Sequence, residues 1–122
     1  MDILLVDDSR TMRLILQRAI RQAGYRSLTV VEAENGAQAL DKLNGERPKL
    51  ILSDWNMPEM SGIEFLTEIR ARNMRVPFGF VTSETSPEMK AIAMIAGANF
   101  LIGKPFTPEA IEEALSPILG GV

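Results

Sequence analysis

The chain contains no cysteine and no histidine among its 122 residues. The first absence excludes disulfides and thiolate metal sites; the second removes the commonest general base and the usual zinc ligand. Any chemistry must therefore fall to carboxylates, hydroxyls and lysine. No large excess of one charge exists either: 13 basic against 16 acidic residues leave a net charge of −3, which gives no reason to expect direct nucleic-acid binding. Long hydrophobic runs are missing as well. Ile3-Leu4-Leu5-Val6 near the N-terminus is too short for a signal peptide and has no basic start, so no membrane insertion is expected and a cytoplasmic location is. What is present, 46% apolar and 24% charged residues, is the composition of a soluble globular protein. The length suits one domain, residues 1–122, able to bury a core without covalent or metal support.

Apolar runs and helical patterns alternate along the chain. Ile3 to Val6 is all apolar, as suits a strand covered on both faces, and Asp7-Asp8-Ser9 ends it. Met12, Ile15, Leu16, Ala19, Ile20 and Ala23 then recur at helical spacing, with Arg10, Arg13, Arg18 and Arg21 expected on the outer side and Gly24 as the stop. A second strand is expected over residues 27–33. Asn35 and Gln38 resemble a capping box that opens a helix to about Leu43, with Ala37, Ala39, Leu40 and Leu43 turned inward. Leu50-Ile51-Leu52-Ser53 is the third strand, and Ser61-Gly62-Ile63-Glu64 is a capping box before a helix through Phe65, Leu66 and Ile69. Phe78-Gly79-Phe80-Val81 gives a fourth strand in which Gly79 leaves room for a close neighbour. Ser86-Pro87 and Thr107-Pro108 pair an N-cap residue with proline at the first helical position. Phe100-Leu101-Ile102 lies between those two helices as the fifth strand, and Ser116-Pro117 is expected to end or kink the last helix. Five strand-then-helix cycles with short connections imply an α/β fold, a doubly wound five-stranded parallel sheet with helices on both faces. Its ligand site should lie beyond the carboxyl ends of the strands.

Those ends carry a chemically coherent set. Asp7 and Asp8 follow the first strand, Asp54 the third, Thr82 and Ser83 close the fourth, and Lys104 follows the fifth. Taken singly each has an ordinary explanation: Asp54 a turn aspartate, Asp7-Asp8-Ser9 a helix cap, Thr82 and Ser83 turn hydroxyls, Lys104 a solvated charge. Together they do not. Three carboxylates brought close repel one another unless a cation sits among them or their proton affinity rises. Hard oxygen donors favour Mg²⁺, with Mn²⁺ as a second candidate, and magnesium characteristically combines one or two carboxylates with phosphate oxygens.

The motifs Val6-Asp7-Asp8-Ser9, Asp54-Trp55-Asn56-Met57-Pro58, Val81-Thr82-Ser83 and Lys104-Pro105-Phe106 resemble those of response-regulator receiver domains, most closely of the CheY-like chemotaxis type. The likeness spans essentially the whole chain. It implies the flavodoxin-like strand order 2-1-3-4-5 and a phosphorylation-dependent switch of a two-component system. It further implies that Asp54 accepts a phosphoryl group from a CheA-like sensor histidine kinase. Asp7, Asp8, Asp54 and the backbone carbonyl of Asn56 would hold Mg²⁺, Thr82 and Lys104 would contact the phosphoryl group, and the Lys104-Pro105 bond would be cis. Asn56 and Glu84 would flank the route of attacking water, and their identities imply a short-lived phosphorylated state.

One position departs from the family pattern. Leu101 stands where a switching aromatic is usual, and Phe100 beside it should point to the opposite face of the sheet. The fourth helix, residues 87–97, is apolar nearly all round, with Lys90 as its only interior charge. Its surplus apolar residues, Met94 among them, together with Lys90, Leu101 and the last helix, form the expected surface for a downstream protein or for a phosphorylation-dependent dimer in place of a monomer. Gly120-Gly121-Val122 reads as a flexible end, or as the start of a linker if the receiver acts with a larger output protein. A small Mg²⁺-dependent phosphatase or a nucleotide-binding flavodoxin-like protein is the alternative of another class; the lack of a glycine-rich loop after the first strand speaks against it.

Overall fold

In the computed structural model, which describes residues 1–120, every apolar run named above becomes a strand. The elements are β1 (Ile3–Val6), α1 (Arg10–Gln22), β2 (Val30–Ala33), α2 (Gly36–Lys42), β3 (Leu50–Ser53), α3 (Gly62–Ala71), β4 (Phe78–Thr82), α4 (Pro87–Ala96), β5 (Phe100–Gly103) and α5 (Pro108–Leu119). All strand pairings are parallel and the order is β2-β1-β3-β4-β5. In register, Val6 lies beside both Ala33 and Ser53, and Thr82 beside Gly103. The strands therefore end nearly level, and the residues that follow them converge on one edge.

Side-chain alternation along each strand divides the apolar residues between two cores. Leu4, Val6, Ile51, Phe78 and Phe80 pack with Leu43, Phe65, Leu66, Ile69 and Ala93 on the side of α2, α3 and α4. Ile3, Leu5, Leu50, Leu52, Val81 and Ile102 pack with Leu16, Ile20, Ile111 and Leu115 on the side of α1 and α5. The rings of Phe78 and Phe80 meet edge to face at 5.0 Å, and Trp55 lies 4.7 Å from Phe80. Phe100 and Leu101 go to opposite cores, as alternation requires. Gly79 is the close-approach residue expected: a Cβ there would lie 2.1 Å from the Phe100 ring.

Several local expectations are corrected. Arg13 is not on the outer face of α1 but buried, while Ile15 is exposed. The buried stripe thus runs through Arg13, Leu16, Ala19 and Ile20. β2 begins only at Val30, because Thr29 is spent on the chain's start: its amide and hydroxyl bind the Asp2 carboxylate, and its carbonyl accepts from Asp2 and Ile3. The Asn35 side chain accepts from Gln38 N–H as expected, but Gln38 reaches back to the amide of Glu34, one residue early for a capping box. Ala37 is exposed rather than turned to the core. Pro117 does not end its helix. α5 continues to Leu119, where the packing of Ile118 and Leu119 on the α1-side core offsets the one lost backbone bond. The caps at Ser61, Ser86 and Thr107 are as expected. Of the proposed flexible end, Gly121 and Val122 lie outside the described residues.

Candidate functional site

The β1–α1 turn holds its two acidic residues unequally. Ser9 caps α1 by accepting from Met12 N–H, and its own amide donates to Asp7 Oδ1 at 2.8 Å. Asp7 is buried and Asp8 exposed. Behind the turn, the Arg13 guanidinium donates to the Asp7 carbonyl and, through Nε, to Glu32 Oε1 on β2 at 2.7 Å. A buried arginine ties the first carboxylate's backbone to the neighbouring strand.

Asp54 enters from β3, its amide bonded to the Val6 carbonyl at 2.8 Å. Its Oδ1 accepts from Trp55 N–H at 2.7 Å. Gly62, at the start of α3, presses against the same turn: its amide bonds to the Trp55 carbonyl, and a Cβ there would stand 2.1 Å from the Asp54 carbonyl oxygen. No larger residue fits without moving the helix.

Lys104 closes the site from beyond β5. Its Nζ lies 3.1 Å from Asp7 Oδ2 and 3.3 Å from Asp54 Oδ2, and the Lys104-Pro105 peptide is cis. One carboxylate oxygen each from Asp7, Asp8 and Asp54 falls within 4.8 Å of the others. Burial raises the Asp54 pKa, aided by the Asp7 charge, while Lys104 and the Trp55 N–H pull it down without cancelling the rise. One ammonium therefore faces three carboxylates, and the site attracts further positive charge. The donor set fits magnesium: all-oxygen, three carboxylates near enough to share one ion, with an exposed side at Asp8 for water or phosphate.

Thr82 is fully buried, and its Oγ1 accepts from Glu84 N–H at 3.1 Å, which leaves its O–H hydrogen free to donate. Asn56 Nδ2 reaches Glu84 Oε1 at 3.4 Å, so the two residues expected beside the water route touch across the mouth of the site. Ser83 is exposed. Leu101 is half-buried in the α4-side core, and Lys90 and Met94 are exposed on α4, outside this cluster. Arg13 and Gly62 are the members not anticipated from sequence as parts of the site. The signal for Arg13 was present: it stands three and seven residues before Leu16 and Ile20, on the buried stripe.

This geometry has close counterparts. The family model for the response regulator receiver domain matches residues 3–116. The chemotaxis protein CheY1 of Helicobacter pylori is 40% identical over 98% of both chains, and a CheY homolog of Campylobacter jejuni is 41% identical over 98% of this chain and 93% of its own. The solved structure of the chemotaxis response regulator CheY4 of Vibrio cholerae is 37% identical, with a TM-score of 0.84 over 97% of this chain and 98% of its own. None of this supports the phosphatase or nucleotide-binding alternative. A shared strand order, a family match over nearly the whole length and these relatives place the chain in the response regulator receiver domain family, on its chemotaxis branch.

Proposed function

We propose that Asp54 is the phosphoacceptor of a magnesium-dependent switch, and that the chain acts over residues 1–122 as one stand-alone receiver unit in the cytoplasm. The observation that carries this is the Lys104 ammonium held between Asp7 and Asp54, with Asp8 beside them. The phosphoryl donor is a phosphohistidine on a CheA-like sensor histidine kinase. A carboxylate oxygen of Asp54 bonds to phosphorus as the phosphorus–nitrogen bond to the histidine breaks. Carboxylate is a weak nucleophile toward an anionic phosphoryl group, so positioning and charge neutralisation supply the rate. Trp55 N–H fixes the carboxylate's rotation. Lys104 moves from the carboxylate to a phosphoryl oxygen, and the free Thr82 hydrogen donates to another. Magnesium, held by Asp7, Asp8, Asp54 and the Asn56 carbonyl, supplies the charge that offsets the anionic oxygens when bound.

The acyl phosphate so formed is the signal, and the protein turns over no other substrate. Asn56 and Glu84 at the mouth set how readily water reaches it, and their identities favour rapid hydrolysis. The output surface is α4 with β5 and α5, with Lys90, Met94 and Leu101 as its contact residues. Ile95 at 86% exposure beside Ile92 and Met94 supports that placement, because so much apolar surface on one short helix suits an adaptable partner site.

Trp55 is the only tryptophan and adjoins Asp54. Its fluorescence is expected to change on adding magnesium, and again on adding a small phosphodonor. The second change should be absent in Asp54→Asn. A phosphodonor response that survives this substitution rules out Asp54 as acceptor.

A further inference from the structure

The sequence sets asparagine before glycine twice, at Asn35-Gly36 and Asn44-Gly45. In such a pair no side chain shields the glycine nitrogen, which attacks the asparagine carboxamide wherever the backbone is free to bring the two together. The fold treats the pairs differently. Asn35 caps α2, and its carboxamide oxygen accepts from Gln38 N–H at 2.8 Å. Gly36 is buried at the first helical position, with Met60 packed so closely that a Cβ there would stand 2.7 Å from the sulfur. Turning the Asn35-Gly36 peptide would break the cap and displace Met60. Asn44-Gly45 has neither restraint. Both residues are exposed in the turn after α2, where Asn44 N–H donates to the Asp41 carbonyl and Glu46 N–H to the Leu43 carbonyl. Among the described residues no hydrogen bond holds the Asn44 carboxamide or the Gly45 amide. Gly45 has a φ of +78° and nothing within 4 Å of where a Cβ would be. An exposed turn of this kind, unpacked and weakly bonded, opens at little cost.

We infer that Asn44 is a site of spontaneous deamidation in the folded protein and that Asn35 is protected from it. The Gly45 nitrogen bonds to Asn44 Cγ and gives up its proton, while the carboxamide nitrogen leaves as ammonia and a succinimide ring closes. Water then adds to either ring carbonyl, and the bond from that carbon to the Gly45 nitrogen breaks. Attack at the side-chain carbonyl leaves aspartate. Attack at the main-chain carbonyl leaves isoaspartate, whose chain continues through the former side chain. Either product places a new negative charge just beyond the C-terminal end of α2, where the helix dipole and the neighbouring Asp41 oppose it. Isoaspartate also adds one carbon to the backbone between Leu43 and Glu46, the two residues whose hydrogen bond closes the turn. The turn that carries Glu46 to the N-terminal ammonium is thereby loosened. Asn44 is no member of the acidic cluster, so the modification leaves Asp7, Asp8 and Asp54 chemically unchanged.

Incubation of the purified chain at mildly alkaline pH, well below its melting temperature, tests the inference when followed by tryptic digestion and mass spectrometry. A zero-time sample corrects for deamidation during digestion. Cleavage after Arg26, Lys42 and Lys49 puts Asn35 and Asn44 in different peptides. The Asn44 peptide should gain the mass of an amide turned into an acid and appear in two chromatographic forms, aspartate and isoaspartate. Its rate should exceed that of the Asn35 peptide more than about tenfold, because Asn35 waits for the helix start to open and each 1.4 kcal/mol of opening cost is about a factor of ten. In concentrated urea, with the fold gone, the two rates should draw together. Equal rates in the folded protein overturn the inference. So does an Asn44 that stays intact in the folded protein over the time in which the urea-unfolded chain reacts there.

Discussion

Burial holds the Asp54 carboxylate where its charge is poorly solvated, and that cost is written into its raised pKa. A group whose pKa is higher in the folded state than in the unfolded one stabilises the fold below the unfolded value, here 3.8, and loses that contribution as pH rises through the folded value. At neutral pH the ionised Asp54 therefore opposes folding. Asp54→Asn should raise the melting temperature at neutral pH, with the gain shrinking as the pH falls through the raised folded value toward 3.8 and absent below it; thermal melts of both proteins across that range check the sign. A carboxylate held at the expense of stability is a common mark of a functional position. Arg13 is the opposite case, a residue whose charge the fold uses. Arg13→Gln leaves Glu32 facing the space of a lost guanidinium and the Asp7 carbonyl short of a donor. Removing one partner of a buried pair costs about 3–5 kcal/mol, less where the partner reaches water as Glu32 does, so about 2–3 kcal/mol is expected from urea denaturation. At this scale the sequence was legible where the end of a strand fixes a residue's place. Asp7, Asp8, Asp54 and Lys104 stand at strand ends that the apolar runs already marked. It was illegible for Arg13, because a long polar side chain on a helix is read as solvated unless its partner, here on β2, is known.

Strands bounded by buried apolar runs were readable to within a residue, since a parallel strand covered on both faces allows no polar interruption. β2 was not, because it is an edge strand only partly buried and its beginning depends on Asp2 and Thr29, which meet across 27 residues of chain. α5 running past Pro117 has the same origin: packing against the α1-side core outweighed a local rule. Gly79 shows how tightly the elements are set. The Phe100 ring of β5 occupies the space a side chain on β4 would need, so Gly79→Ala should cost about 1–3 kcal/mol, seen as a lower denaturation midpoint at unchanged slope. An unchanged midpoint would show that Phe100 can leave its place freely. Leu101, on the other side of the same strand, packs toward α4 without the aromatic ring usual at that position.

For the whole molecule, one edge of the sheet gathers the acidic cluster and Lys104 while the exposed apolar residues of α4 lie outside it. The fold class followed from alternation alone, and the place of the candidate site from the rule that parallel sheets bind at their carboxyl ends; the distances that join Lys104 to two carboxylates required the structure. Magnesium binding should stabilise the whole by mass action, about 1.4 kcal/mol at ten times its dissociation constant, and the rise in melting temperature should be lost in Asp8→Asn. The central claim, that Asp54 is the residue that carries the signal, is tested most directly by intact-mass spectrometry after incubation with magnesium and a small phosphodonor, followed by fragmentation to locate the adduct. One phosphoryl group, on Asp54 and dependent on magnesium, is the predicted result. An adduct on another residue, or none in wild-type protein that binds magnesium, would contradict it.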